Sequence, residues 1–160
     1  MAAYGVPDEL DGLLPWSWAD ERLTKCRNFW VVTATLDARP HALPVWGVWV
    51  SELERFAFSC APTSRKARNI RNNPQVVVAV DDTVECVSLE GHAQEIAGAA
   101  ADRFVDAYAR KYESERDKQA ALADFVRANT TFEFTPERGF GIIERENEFA
   151  ERATRWTWSR

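Results

Sequence analysis

The chain has 160 residues, enough for one domain with a sizeable core, and an apolar fraction of 46% is ordinary for a globular protein. A formal net charge of −5 argues against general nucleic-acid binding, because that function needs a basic surface. No apolar run approaches the roughly 20 residues that span a bilayer, and residues 1–15 lack the basic start of a signal peptide. We therefore expect a soluble, cytoplasmic chain with no membrane partner.

Cysteines and histidines are too few and too scattered for a metal centre. Cys26, Cys60 and Cys86 are far apart and form no C-x-x-C pair, and the only histidines are His41 and His92. We expect neither a disulfide framework nor a metal site. No serine, histidine and aspartate triad can be assembled either, so no catalytic side chain is assigned.

Residue patterns predict a single domain over residues 1–160, in which residues 1–16 form an extended lead-in. The first helix is predicted at Ser17–Arg27, with Ser17 as its N-cap. Further helices are predicted at Ser64–Asn72, Ala99–Tyr112 and Asp117–Asn129. The predicted strands are Phe29–Leu36, His41–Ser51, Arg55–Cys60, Gln75–Val80, Val84–Ile96, Thr130–Phe134, Phe140–Glu144 and Thr154–Trp158.

Proline and glycine mark the irregular points of these strands. A turn is predicted at Pro136–Gly139, a bulge at Gly91, and a bend or bulge at Pro44–Gly47. Short strands joined by tight turns favour an antiparallel, closed or nearly closed barrel, mainly β with helices (α+β). A doubly wound dinucleotide fold is disfavoured because no G-x-G-x-x-G motif follows a strand.

The segment Ser64–Arg71 places four positive charges in an otherwise acidic chain. Arg65 and Lys66 lie in the first helical turn, where the helix dipole is already positive, so an anion would offset a local repulsion. Backbone N–H groups and the hydroxyls of Thr63 and Ser64 would complete a phosphate cradle. The alternative is a solvated basic face on a surface helix.

Helical periodicity divides this segment into two faces. Arg65, Arg68, Asn69 and Asn72 fall on one polar face, whereas Ala67 and Ile70 face the barrel with Lys66 at the flank.

Trp156 and Trp158 share one strand face, either as core residues or as the wall of a pocket at a subunit boundary.

These motifs resemble the pyridoxamine 5′-phosphate oxidase-like superfamily, most closely its actinobacterial deazaflavin-dependent branch. The resemblance is carried by the stretch from Pro40 to Trp49, by Ser64–Asn69 followed by Asn73-Pro74, by Glu90-Gly91-x-Ala93, by Thr135-Pro136-x-Arg138-x-Phe140-Gly141 and by Ala153–Trp156. It covers nearly the whole chain in the family's order. It implies an antiparallel split β-barrel that forms a homodimer with two cofactor sites at the interface.

The resemblance also assigns cofactor contacts to particular residues. It implies that Ser64, Arg65 and Lys66 bind the cofactor phosphate, with Arg68 and Asn69 nearby. Pro44, Val45 and Trp46 would border the ring system, Ser59 the ribityl chain, and Arg155 and Trp156 would approach from the partner subunit.

The expected function is that of an oxidoreductase. The cofactor carries the hydride, the protein orients it, and the acceptor is a small conjugated or heteroaromatic substrate. Coenzyme F-420 is preferred over FMN, because Arg68 and Arg71 suit its longer anionic tail. The chain lacks the arginine-rich C-terminal substrate motif of the oxidases proper, so pyridoxamine oxidation is not expected. The remaining alternative is a non-catalytic carrier or a haem-binding barrel with His41 or His92 as ligand.

Overall fold

The computed structural model describes residues 13–114, 116–146, 148–149 and 152–158. Most of the predicted N-terminal lead-in, residues 1–12, lies outside this part. The described helices are α1 (Trp16–Lys25), α2 (Arg65–Asn72), α3 (Ala99–Tyr112) and α4 (Arg116–Arg127). The strands are β1 (Asn28–Ala34), β2 (Pro40–Val50), β3 (Arg55–Cys60), β4 (Gln75–Val80), β5 (Glu85–Ile96), β6 (Thr130–Ile143) and β7 (Thr154–Thr157).

The strands form one antiparallel sheet in the order β3-β2-β1-β4-β5-β6-β7. An additional pairing of β3 with β6 closes the first six strands into a barrel and leaves β7 attached outside the closure. Closure satisfies the backbone hydrogen bonds of strands that would otherwise be edges. The predicted α+β antiparallel split barrel is confirmed.

The predicted turn at Pro136–Gly139 is wrong, because β6 runs unbroken through it. The first part of β6 pairs with β3 up to Phe134, and the later part pairs with β7 from Arg138 onward. Pro136 lies between these two partners, where its missing N–H removes no ladder hydrogen bond on that edge. The proline and glycine therefore mark a change of partner strand within one long strand.

The predicted bulge at Gly91 is confirmed, since the β5–β6 register shifts between Glu90 and Gly91. A Cβ at Gly91 would overlap the carbonyl oxygen of Thr135, so the two strands approach too closely there for any side chain. The predicted irregularity at Pro44–Gly47 is absent. The register between β1 and β2 continues without interruption from Pro40 to Trp46.

Helix α1 begins at Trp16, one residue before the predicted N-cap Ser17, and Pro15 takes the cap position in an extended conformation. The reason is packing, because the Trp16 ring makes edge-to-face contacts with the rings of Trp49, Trp156 and Trp158. Among the described residues, no helix is long and apolar enough to cross a membrane.

The core has two parts, one on each face of the sheet. The larger part fills the barrel around Phe29, Phe56, Phe58, Phe132 and Phe134. The smaller part lies outside the barrel, where α3 and α4 cover Val48 and Ala57. Helix α2 packs against the first part, which places its N-terminus beside the barrel.

Candidate anion and cofactor site

Helix α2 is anchored by its own sequence. The Ser64 hydroxyl accepts the Ala67 N–H at 3.3 Å as the N-cap, and it donates to Cys60 Sγ at 3.3 Å. Ala67 and Ile70 are buried in the barrel core, as the periodicity predicted. The hydroxyl of Ser64 thus holds the helix start in place, and its proton is already engaged.

The first turn of α2 presents a cluster of free donors. As the first residues of the helix, Arg65 and Lys66 have backbone N–H groups with no intrahelical acceptor. Within the described part of the chain, neither side chain forms an ion pair or a hydrogen bond, and Arg65 is exposed. Two unpaired cations above open helical N–H groups form an arrangement that favours a phosphate.

The other arginines of α2 are more engaged. The Arg68 guanidinium donates to the carbonyl of the exposed residue Thr63 at 2.6 Å. Arg71 donates to Glu95 at 2.8 Å and to the Pro62 carbonyl at 2.6 Å. Arg68 can therefore turn to an anion by giving up one local hydrogen bond, whereas Arg71 would also have to leave a carboxylate.

Asn69 does not share the polar face with Arg65 and Arg68, which corrects the prediction from periodicity. It is only 5% exposed and donates to the Thr33 hydroxyl at 2.9 Å. The predicted face failed because a buried strand hydroxyl offers the amide a partner that helical geometry alone does not reveal. Asn69 attaches α2 to β1 and thereby holds the helix in position.

His41 was considered from the sequence only as a haem ligand, and its position near α2 was missed. It lies directly opposite Thr33 in the β1–β2 ladder, and so it faces the same side as the Thr33–Asn69 hydrogen bond. Burial, followed by the positive charges of Arg65 and Lys66, lowers the pKa of His41. The only signal in the sequence was its strand parity, which does not reveal the approach of α2.

The barrel-side face of β2 is not fully covered near this point. Leu43 lies two residues beyond His41 on the same face, and yet it is 44% exposed. Helix α2 therefore leaves the part of this face around Leu43 open to solvent.

The three residues predicted to border the ring system are not equivalent. Val45 points into the core, whereas Pro44 and Trp46 are exposed on the opposite face of β2. The Trp46 ring stacks on Tyr112 at 4.9 Å between ring centroids, and Arg27 lies over both rings. The surface available to a planar ligand is thus that of Pro44 and of the exposed part of Trp46, which is 46% exposed.

The backbone polar groups of Gly47 already have partners. The Gly47 N–H donates to the Tyr112 hydroxyl at 2.9 Å, and its carbonyl accepts from Lys111 Nζ at 3.1 Å. Helix α3 supplies both groups. A ligand at this position would first have to displace α3.

Ser59 points away from the first turn of α2. Its hydroxyl donates toward the carbonyl oxygens of Val126 and Thr130, at 3.3 and 3.2 Å, on the side covered by α4. The neighbouring Cys60 faces α2 instead, and burial raises the pKa of its thiol. Within one subunit, the structure does not bring Ser59 together with Arg65 and Lys66.

Arg155 and Trp156 lie on opposite faces of β7. The Trp156 ring packs against Trp16 and over Gly141 at the barrel core. Arg155 is exposed and pairs in register with Phe140. With Phe140, Ser88 and Phe149 it lines a surface cavity of about 510 Å³.

Arg155 ends a continuous row of side chains on the outside of the sheet, which we call the outer rung. Strand registers align its members across six strands: Pro44, Trp30, Ala79, Ser88, Phe140 and Arg155. The row is mostly apolar, and Trp30 is 44% exposed. Such a surface is typical of an interface.

The family follows from comparison with known proteins. The family model described as "Pyridoxamine 5′-phosphate oxidase" matches residues 18–141, most of the barrel and the whole of α2. The chain belongs to the pyridoxamine 5′-phosphate oxidase family. The resemblance seen in the sequence motifs is thereby confirmed. A search of curated protein sequences found no match.

Solved structures with this family's fold have varied descriptions. A conserved hypothetical protein from Mycobacterium tuberculosis is 17% identical, with a TM-score of 0.74 over 88% of this chain and 91% of that one. A haem binding protein from Mycobacterium smegmatis is 15% identical, with a TM-score of 0.69 over 91% and 59% of the two chains. A protein described as an F420 reductase is 20% identical, with a TM-score of 0.56 over 75% and 94%. At these identities the likeness concerns the fold alone.

Proposed function

We propose that this member of the pyridoxamine 5′-phosphate oxidase family is an oxidoreductase that binds a phosphorylated flavin-type cofactor. The cofactor, coenzyme F-420 in preference to FMN, passes a hydride to a small conjugated or heteroaromatic acceptor. The observation that carries the proposal is the pair of uncompensated cations, Arg65 and Lys66, at the open N-terminus of α2 in an acidic chain.

In this proposal, the protein's residues bind the cofactor and orient it. Arg65, Lys66 and their N–H groups hold the phosphate, and Arg68 lies near enough along the helix to contact a second anionic group. Ser64 and Asn69 fix the helix through Cys60 and Thr33. The bound cofactor supplies the hydride chemistry, so we assign no catalytic side chain.

The choice between the two cofactors depends on the charge available beyond the first phosphate. The longer tail of F-420 needs further cations, which Arg68 provides by releasing the Thr63 carbonyl. The pairing of Arg71 with Glu95 favours FMN as the second candidate, because it removes one of those cations. Measuring the affinities of the protein for F-420 and for FMN shows which cofactor it prefers.

We also propose that the protein is a homodimer that buries the outer rung. In that assembly Arg155 from one subunit approaches the cofactor held by the other subunit. The apolar row ending in an exposed arginine supports this arrangement.

The test is binding of F-420 and FMN to purified protein, followed by turnover of the reduced cofactor with quinone or nitroaromatic acceptors. The double variant Arg65→Gln/Lys66→Gln should weaken binding by about a hundredfold or more, since each charged hydrogen bond contributes about 1.5–3 kcal/mol. The control Arg110→Gln/Lys118→Gln removes the same charge from α3 and α4 and should leave affinity within about threefold.

Failure of the wild-type protein to bind either cofactor below about millimolar concentration would eliminate the proposal. Equal affinities of the two double variants would eliminate the assignment of the phosphate to α2. Tight binding of haem, with no flavin binding and no turnover, would favour the haem-carrier alternative.

A further inference from the structure

We propose that His41, in its neutral form with hydrogen on Nε2, is a phosphate-binding residue of the α2 site. It would act from β2, together with Arg65 and Lys66 of α2. This inference rests on the proposed phosphate site and adds to it a donor from a different element.

The position of His41 is fixed by two links between elements. In the β1–β2 ladder it is the direct partner of Thr33. Thr33 in turn accepts the Asn69 amide at 2.9 Å, which fixes the distance between β1 and α2. Because Asn69 lies one helical turn after Arg65, this hydrogen bond brings α2 to the same side of the sheet as His41. The electrostatic effect of Arg65 and Lys66 on the imidazole reflects the same proximity.

The environment of the two ring nitrogens determines the tautomer. Nδ1 is buried and has no hydrogen-bond partner. A proton on Nδ1 would be an unsatisfied buried donor, which is less tolerated than an unused lone pair. We therefore assign the hydrogen to Nε2.

Nε2 is available to a ligand. It is not among the buried nitrogens without a partner, and no hydrogen bond within the described residues engages it. It therefore contacts solvent, as does Leu43 on the same face of β2. A solvent-facing Nε2–H group is a directional donor for a phosphate oxygen.

The surroundings keep His41 neutral. The ionisable groups that act on it are Arg65 and Lys66 of α2, while its neighbour on β1 is the non-ionising Thr33. Burial and both cations oppose a positive charge on the ring and lower its pKa. His41 thus contributes a directional hydrogen-bond donor without a positive charge, unlike Arg65 and Lys66.

The experiment compares His41→Leu, which has no donor, with His41→Gln, whose amide nitrogen can replace Nε2–H. Each variant is titrated with FMN and riboflavin, and with F-420 and its deazariboflavin core, so that each ligand is tested with and without phosphate. We expect His41→Leu to lose about tenfold in affinity or more for the phosphorylated ligands only. His41→Gln should stay within about threefold of the wild type. His92→Gln, at the other histidine, should bind like the wild type.

A second readout is the ¹⁵N NMR spectrum of the imidazole at neutral pH, with and without inorganic phosphate. We expect the Nε2–H tautomer and a phosphate-dependent shift at His41, with none at His92. A shift confined to other residues, an Nδ1–H tautomer or an imidazolium at pH 7 would overturn the inference.

The two proposals fail in distinguishable ways. If the wild-type protein binds no flavin, the cofactor proposal is wrong, and the phosphate titration still tests His41. If the wild type binds but His41→Leu binds equally well, or loses riboflavin as strongly as FMN, then His41 is not a phosphate donor. If His41→Gln is as weak as His41→Leu, the Nε2–H assignment is wrong.

Discussion

The Tyr112 hydroxyl joins three parts of the chain at one atom. It accepts the Gly47 N–H at 2.9 Å and lies 2.6 and 2.8 Å from the carbonyl oxygens of Arg27 and Gly47, either of which can accept its proton. Burial raises the pKa of this hydroxyl, so it remains protonated in the physiological range. It thereby fixes the end of α3 to β2 beside Trp46.

Tyr112→Phe should lower the free energy of unfolding by about 1–3 kcal/mol, because it leaves the Gly47 N–H without its partner. The control is Tyr108→Phe on the adjacent ring, whose hydroxyl has no described hydrogen bond, with an expected change of about 0.5 kcal/mol or less. Urea denaturation of both variants measures the difference. Equal losses would mean that the hydrogen bonds of Tyr112 contribute nothing to stability.

Lys111, the residue before Tyr112, is a partly buried amine that donates to the Gly47 carbonyl. Burial lowers its pKa to about 8 from the usual 10.5. The neighbouring Cys26 thiol does not titrate in the same range, because burial raises its pKa to about 11. Between about pH 8 and pH 10.5, the two pKa values of Lys111, this amine binds more protons in the unfolded chain than in the folded chain.

Stability due to Lys111 should therefore rise with pH between about 8 and about 10.5. We expect the free energy of unfolding of the wild type, relative to Lys111→Met, to be larger at about pH 9.5 than at about pH 7.5. Urea denaturation at the two pH values gives the comparison. If this difference stayed constant or decreased with pH, the pKa of Lys111 would not be lowered in the folded state.

At the scale of elements, the crossing of β5 and β6 shapes the barrel. At the Gly91 bulge, β6 leaves β3 and joins β7, and the backbones approach so closely that a Cβ would meet Thr135 O and lie 3.0 Å from Pro136 Cα. Neither atom belongs to a movable side chain. Strand order and closure therefore depend on a glycine at this position.

Gly91→Ala should lower the free energy of unfolding by about 1–3 kcal/mol, more than Gly141→Ala. A Cβ at Gly141 meets only the rings of Trp156 and Trp18, which are side chains and can move. Thermal or urea denaturation of the two variants tests this ranking. A smaller loss for Gly91→Ala would show that the backbone at the bulge can separate at little cost.

At the scale of the whole molecule, the outer rung is the feature on which the proposed dimer rests. Trp30, a member of this row, is 44% exposed and does not belong to the core covered by α3 and α4. Phe125, on α4, is 67% exposed but belongs to no such row. The two residues therefore offer a matched comparison.

Trp30→Glu should convert the proposed dimer to a monomer, because it places a charge in an apolar interface. Phe125→Glu should leave the dimer unchanged. Sedimentation of both variants, with circular dichroism to verify folding, distinguishes them. A monomeric wild type, or a Trp30→Glu variant that remains dimeric, contradicts the proposed interface.

Local sequence patterns were sufficient for most elements and for the helix start at Ser64. Alternation identified the strands of the barrel, and Ser64 followed by Arg65 and Lys66 identified a helix start with an excess of positive charge. These features depend on neighbouring residues, whose mutual geometry is fixed by one strand or one helical turn. The motifs of the family added the split form of the barrel.

Only the tertiary structure decided which distant residues meet these local features. It placed His41 beside Arg65 and Lys66, buried Asn69 against Thr33, and set the Tyr112 hydroxyl on Gly47. It also showed that Pro136 continues a strand, because the partner strands of β6 change there. The physical reason is common to all four: each outcome is determined by a partner from another element, and strand pairing and helix docking set that contact.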